Sequence, residues 1–268
     1  MNNLHRELAP ISTAAWAEIE EEATRSFKRN SAGRRLVDVK GPLGLDVDSV
    51  TVGRRSKIDS PGEGIHAFIR HAQPLVELKV PFTVSREAID DVDRGASDAD
   101  WDPVVRAASE LARAEDRAIF EGFAAAGITG ITEAASDEAI DLPEDVVDYP
   151  EAISNAINRL RLNSVDGPYS LALSADLYAA VNETVNDGYP VQQHLKRILV
   201  DGEIIWAPAI TGAVLVSTRG GDFELAIGQD VSIGYDSHDA DVVNLYFTES
   251  FTYLTYTAEA AVPLREKN

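Results

Sequence analysis

The sequence predicts an α+β fold, and three observations carry that reading. Residues 13–30 and 100–123 repeat apolar side chains at helical spacing. Residues 74–84 and the long run at 242–257 alternate their side chains with period two, and most of the last seventy residues read as strand. Helices and strands then follow one another without the regular strand–helix–strand alternation of a parallel sheet.

Taken in order, residues 13–30 form an amphipathic helix. Ser12 or Thr13 caps it, and Trp16, Ile19, Ala23 and Phe27 share one face. Early Glu18, Glu20, Glu21 and Glu22 and late Arg25, Lys28 and Arg29 suit the helix dipole. Residues 41–73, rich in Gly, Pro, Asp and Ser, have no clear period and read as a long excursion or hairpin. Residues 74–84 are a strand in which Pro81 marks an edge or a kink. Residues 100–123 are the longest helix, capped by Asp100, with Pro103 in its first turn. Its stripe is Trp101, Val105, Ala108, Ala112 and Ile119, and Glu115 on that stripe calls for an arginine partner. A helix over 150–163, a strand over 169–173, a helix over 174–184, a loop over 186–190 and a helix over 191–199 follow. The end of the chain is strand: 203–207, 213–218, 223–227, 231–235 and a long one at 242–257 that Glu249 interrupts.

Composition narrows the function. The 268 residues hold 24 Lys and Arg against 45 Asp and Glu, a net charge of −21, and 44% are hydrophobic. A sizeable core is therefore expected, in one large or two modest domains. With no cysteine there is no disulfide scaffold, zinc-thiolate site, iron–sulfur cluster or cysteine nucleophile. The acidic balance argues against nucleic acid or anionic membrane as the main partner. No signal-peptide pattern opens the chain and no apolar run approaches the ~20 residues of a membrane span, so a cytoplasmic protein is expected. Charge is uneven: residues 132–151 hold eight acids and no base, whereas residues 25–40 hold six bases against Asp38 alone. The basic run is the better candidate docking face.

Motifs for chemistry are missing. There is no phosphate-binding loop, no HExxH and no GxSxG. Asp98, Asp100 and Asp102 imitate the start of a calcium loop, but Pro103 and Ser109 stand where the turn glycine and the bidentate glutamate belong. Gly220-Gly221-Asp222-Phe223 reads as a turn between strands. The five histidines are scattered, with no metal-ligand pair on a helix. A structural or binding protein is therefore expected rather than an enzyme, with no catalytic residue, metal or cofactor.

Longer strings carry a family resemblance. LHRELAPISTAAWAEIEEEA at 4–23, GRRLVDV at 33–39, DGPYSLALS at 166–174, DGYPVQQHL at 187–195 and TRGGDFELAIGQDVSIGYDSHD at 218–239 resemble the encapsulins, the linocin-like shell proteins of bacterial nanocompartments. The likeness runs from about residue 3 to about 264 and is greatest to the family 1, actinobacterial type. It implies a tailed-phage capsid fold of the HK97 type. Residues 1–40 would hold the N-terminal helix and the start of a P domain, 41–73 an E-loop, and 74–149 the P domain with its spine helix. Residues 150–228 would form an A domain, and 229–268 would return to the P domain. It further implies an icosahedral homo-oligomer that encloses a cargo enzyme, a dye-decolourising haem peroxidase or else a ferritin-like protein, bound through a C-terminal targeting peptide. By position, Phe27, Arg34, Leu36, Asp38 and Ile233 would bind that peptide, and Asn186, Asp187, Gly188 and Tyr189 would line a fivefold pore. Glu87 stands where some relatives place a flavin-associated tryptophan, so flavin is not expected. A DNA-packaging capsid protein and a bacteriocin- or protease-like hydrolase are the alternatives.

Overall fold

The structure is a computed structural model and describes residues 3–186 and 188–267. Its helices are α1 (Thr13–Asn30), α2 (Arg86–Asp93), α3 (Asp102–Phe120), α4 (Ile131–Ala134), α5 (Tyr149–Leu162), α6 (Ala175–Glu183) and α7 (Val191–Leu199). Its strands are β1 (Asp38–Lys40), β2 (Ser49–Ile58), β3 (Ala67–Pro74), β4 (Val76–Ser85), β5 (Ile140–Leu142), β6 (Tyr169–Leu173), β7 (Val185–Asn186) and β8 (Tyr189–Pro190). They continue with β9 (Ile204–Trp206), β10 (Ala213–Ser217), β11 (Phe223–Ile227), β12 (Ser232–His238), β13 (Val242–Thr255) and β14 (Ala261–Glu266).

Two sheets organise two cores. The first runs β1-β11-β13-β12, with β4 on the other side of β13. β13 is long enough to pair β12 along its first half, β11 along its second and β4 along most of its length. Pro81 sits on β4, an edge strand, where its missing N–H costs no ladder bond. Against this sheet lie α1, through Ala15, Ile19, Ala23 and Phe27, and α3, through Val104, Ala107, Ala108, Leu111 and Ala112. Phe82 and Phe247 stack between them at 4.8 Å. The second sheet runs β5-β14-β10-β6-β9. Its fully buried β6 and β10 pack against α5 and α7. The antiparallel pair β2–β3 leaves both cores as a hairpin with almost every side chain exposed.

The ends of the helices follow from single residues. Ser12 caps α1 by accepting the Ala15 N–H at 3.2 Å. α3 begins one residue later than Asp100 would set it: Trp101 is the cap residue, and the Asp100 carboxylate accepts the Asp102 N–H at 3.0 Å. The Trp101 indole donates to Glu18 at 3.0 Å and so ties α3 to α1. The buried stripe runs through Val104 where the spacing predicts Val105. α3 stops at Phe120 because Gly122 turns left-handed at φ +92°, with the Gly130 nitrogen 2.9 Å from where a Cβ would stand.

β11 lies in the first sheet and β14 in the second, so the last strand pairs with β10. The basic run 25–40 also divides, with Lys28, Arg34 and Arg35 on one side of α1 and Arg25 and Arg29 on the other.

Candidate peptide-binding groove

A concavity of about 720 Å³ runs between α1 and the edge of the first sheet. Helical spacing supplies one wall: Ala23, Thr24, Phe27 and Lys28 fall on one face of α1, and Ser31 closes it. The opposite wall is the link from β11 into β12, Asp230 to Ile233. Ile233 is the cross-strand partner of Phe247, and both point at α1. Leu4 and Arg6 border one end; Leu4 is held there by its carbonyl, which accepts the Tyr235 N–H at 2.8 Å. Arg6 stacks on Trp16 at 4.1 Å and pairs with Glu20. The groove is thus apolar inside, with Phe27 and Ile233 almost fully packed beneath its surface. Its rim carries charge of both signs.

Arg34 forms the charged end. Its Nε and Nη2 donate to Glu115 at 2.9 and 2.6 Å, its Nη1 to Asp230 at 2.8 Å and its Nη2 to Glu249 at 3.2 Å. Its guanidinium also lies 4.8 Å over the Phe27 ring. Glu115 therefore has the arginine partner its place on the α3 stripe called for. Burial would lower the Arg34 pKa, but the carboxylates of Glu115 and Asp230 outweigh it and raise it. Burial, then repulsion from Glu115, pushes Glu249 well above the ordinary carboxyl range against the pull of Arg34. Glu249 Oε1 is buried with no hydrogen-bond partner. Next to this cluster, burial pushes Asp116 up to about 7, although both its oxygens accept backbone N–H groups, from Ala32 and Gly33, at 2.8 Å.

Of the five residues expected to bind a peptide, three meet here: Phe27, Arg34 and Ile233. Leu36 and Asp38 do not. Leu36 is buried in the core of the second sheet, and Asp38 accepts the Gly221 N–H at 2.5 Å from a separate depression of about 110 Å³. Arg35 stands between the two concavities. Sequence reasoning missed Thr24 and Lys28, which the α1 period could have supplied by following Ala23 and Phe27 one position on. It also missed Asp230 and the cluster role of Glu249, which need the fold. Among the pore candidates, Asn186, Gly188 and Tyr189 form an exposed tight turn, β7 pairing β8 with Gly188 at φ +83°. Asp187 lies outside the described residues. Among the described residues no group of three or more His, Asp or Glu side chains is placed to hold a metal ion, and no helix is long and apolar enough to cross a membrane.

A long helix and a projecting hairpin on a β-sheet core make a capsid-type fold, and solved structures share it. A virus-like particle from Pyrococcus furiosus aligns at TM-score 0.61 and 20% identity, covering 92% of this chain and 98% of its own. The Gordonia phage Cozz structure aligns at TM-score 0.57 and 14% identity, covering 89% and 87%. Sequence comparison goes further. A family model described as the encapsulating protein for peroxidase matches residues 1–252. The type 1 encapsulin shell protein of Rhodococcus erythropolis is 62% identical over 98% of this chain and 100% of its own. That of Mycobacterium tuberculosis is 57% identical over 98% and 99%. The chain belongs to the encapsulin shell proteins, whose role is structural rather than catalytic.

Proposed function

We propose that the chain assembles in the cytoplasm into a closed icosahedral nanocompartment, and that the groove between α1 and β12 receives the C-terminal targeting peptide of a cargo enzyme. The observation that carries this reading is the convergence of Phe27, Ile233 and Arg34 in one open groove. Phe27 and Ile233 offer apolar surface to aliphatic peptide side chains, and the polar rim offers partners to its backbone. The family model's description supports a peroxidase as cargo; a ferritin-like protein is the second reading. In this reading β2–β3 is the E-loop, α3 the spine of the P domain and the second sheet the body of the A domain. The turn that carries Asn186, Gly188 and Tyr189 surrounds a fivefold pore.

The test is co-expression with a cargo that bears its own tail. The groove-filling Thr24→Trp and the rim charge reversal Lys28→Glu each leave particles intact by electron microscopy and lose the cargo from purified shells. Thr24 is exposed, so its replacement leaves the core of α1 untouched. Normal loading of both variants would place the peptide elsewhere.

A further inference from the structure

We infer that neighbouring subunits are held by a charged contact between unlike faces: an arginine face on α1 and α3 of one copy receives the acidic edge at residues 144–151 of the next. This rests on the shell reading and not on the cargo reading. Arg106, Arg113 and Arg117 share one side of α3, at i, i+7 and i+11, and Arg25 and Arg29 of α1 adjoin them. All five are exposed in a chain of net charge −21. Glu22 and Glu110 are the acids that line the same face, and Glu22 already pairs with Arg25. Among the described residues Arg29, Arg106 and Arg117 form no ion pair. Half-buried Val105 and Trp206 lie among the guanidinium groups. Arginine around tryptophan is the composition of a protein interface rather than of a solvated surface.

The complement is on the same molecule. Glu144, Asp145, Asp148 and Glu151 are exposed and, among the described residues, form no ion pair, whereas nearby Asp141 is neutralised by Arg265. They follow β5, one edge of the second sheet; Trp206 ends β9, the other edge. Four strand spacings separate the two edges, roughly 19 Å. Opposite charge on opposite edges cannot be satisfied within one subunit. It is satisfied head to tail between copies, the kind of contact that generates a ring.

Phenylglyoxal footprinting of the native protein tests this without any mutation. Arg106, Arg113 and Arg117 should react several-fold more slowly in intact shells than in dissociated subunits; equal rates in both, with particles confirmed by microscopy, overturn the contact and leave the shell reading standing. Charge reversal supplies the partner. Arg113→Glu with Arg117→Glu, and separately Asp148→Arg with Glu151→Arg, should each lose particles while circular dichroism stays native, and the four changes together should restore them. Loss without restoration, or no loss, overturns the pairing, as does nucleic acid co-purifying with the shells and protecting the same arginines.

Discussion

At the scale of the residue, the arrangement around Arg34 sets the pH response. Three carboxylates, Glu115, Asp230 and Glu249, share one guanidinium, so two negative charges are in excess when all three ionise. The group least able to carry its charge is Glu249, which is buried, faces Glu115 and leaves Oε1 unpartnered. Its folded pKa is raised, as is that of Asp116 at about 7. A carboxyl raised on folding keeps its proton where the unfolded chain, with a pKa near 4, has lost it. Stability from these two groups is therefore full at acid pH and is lost as pH rises through the unfolded value toward the folded one. Glu249→Gln keeps the shape and removes the ionisation. It should leave stability nearly unchanged at pH 5 and raise it at pH 8, where the ionised carboxylate is the form that burial and Glu115 disfavour. Thermal melts of the two proteins from pH 5 to pH 8 read this directly. A Glu249→Gln protein that is uniformly less stable, with no narrowing or reversal across that range, would mean that the ionised glutamate is a net favourable partner of Arg34.

At the scale of the element, the β2–β3 hairpin separates folding from assembly. Its strands pair only with each other, and Ile58, Ile65, Phe68 and Ile69 are left exposed. Its attachments are at the base, where Leu75 N–H donates to the Asp48 carbonyl and Gln73 to the Ala126 and Gly127 carbonyls. A two-stranded hairpin gains little stability alone and gives little to the cores it leaves. Replacing residues 55–70 by a short glycine–serine turn should leave the melting temperature of the dissociated subunit within a few degrees and abolish particles on size exclusion; a large loss of subunit stability would show that the hairpin is part of the core. The sequence made this segment legible only as an excursion, because exposed strands lack the alternation that a buried face imposes. Strands of three residues, β1 and β5, are too short to show a period at all, and β14 becomes a strand through β10 and β5 on either side of it. α2 was open to inspection: Ser85 accepts the Ala88 N–H at 3.0 Å, the signature of a helix start, yet its eight residues are too few for a clear stripe. The groove was legible where α1 periodicity and family likeness coincide, at Phe27, and where likeness alone applies, at Arg34 and Ile233. It was not legible at Leu36 and Asp38, whose neighbours are chosen by β1 joining β11.

At the scale of the whole molecule, the −21 charge and the charged edges act over different distances. The net charge repels every copy from every other, and at an ionic strength of ~0.01 M this reaches about 30 Å, far enough to act across a shell wall. At ~0.15 M it reaches about 8 Å, so distant repulsion is screened while contacting pairs, such as the proposed arginine and acidic edges, still attract. At ~1 M the length is about 3 Å and those pairs also weaken, leaving the apolar parts of the interface. The shell should therefore be most stable at intermediate ionic strength. Light scattering during a urea titration at the three salt concentrations should give the highest dissociation midpoint near ~0.15 M, in sodium chloride so that preferential exclusion stays small. A midpoint that rises steadily to ~1 M would mean that net repulsion alone governs assembly and that the charged edges do not meet. A steady fall from ~0.01 M would mean that ion pairs dominate and that the acidic surplus faces away from every interface.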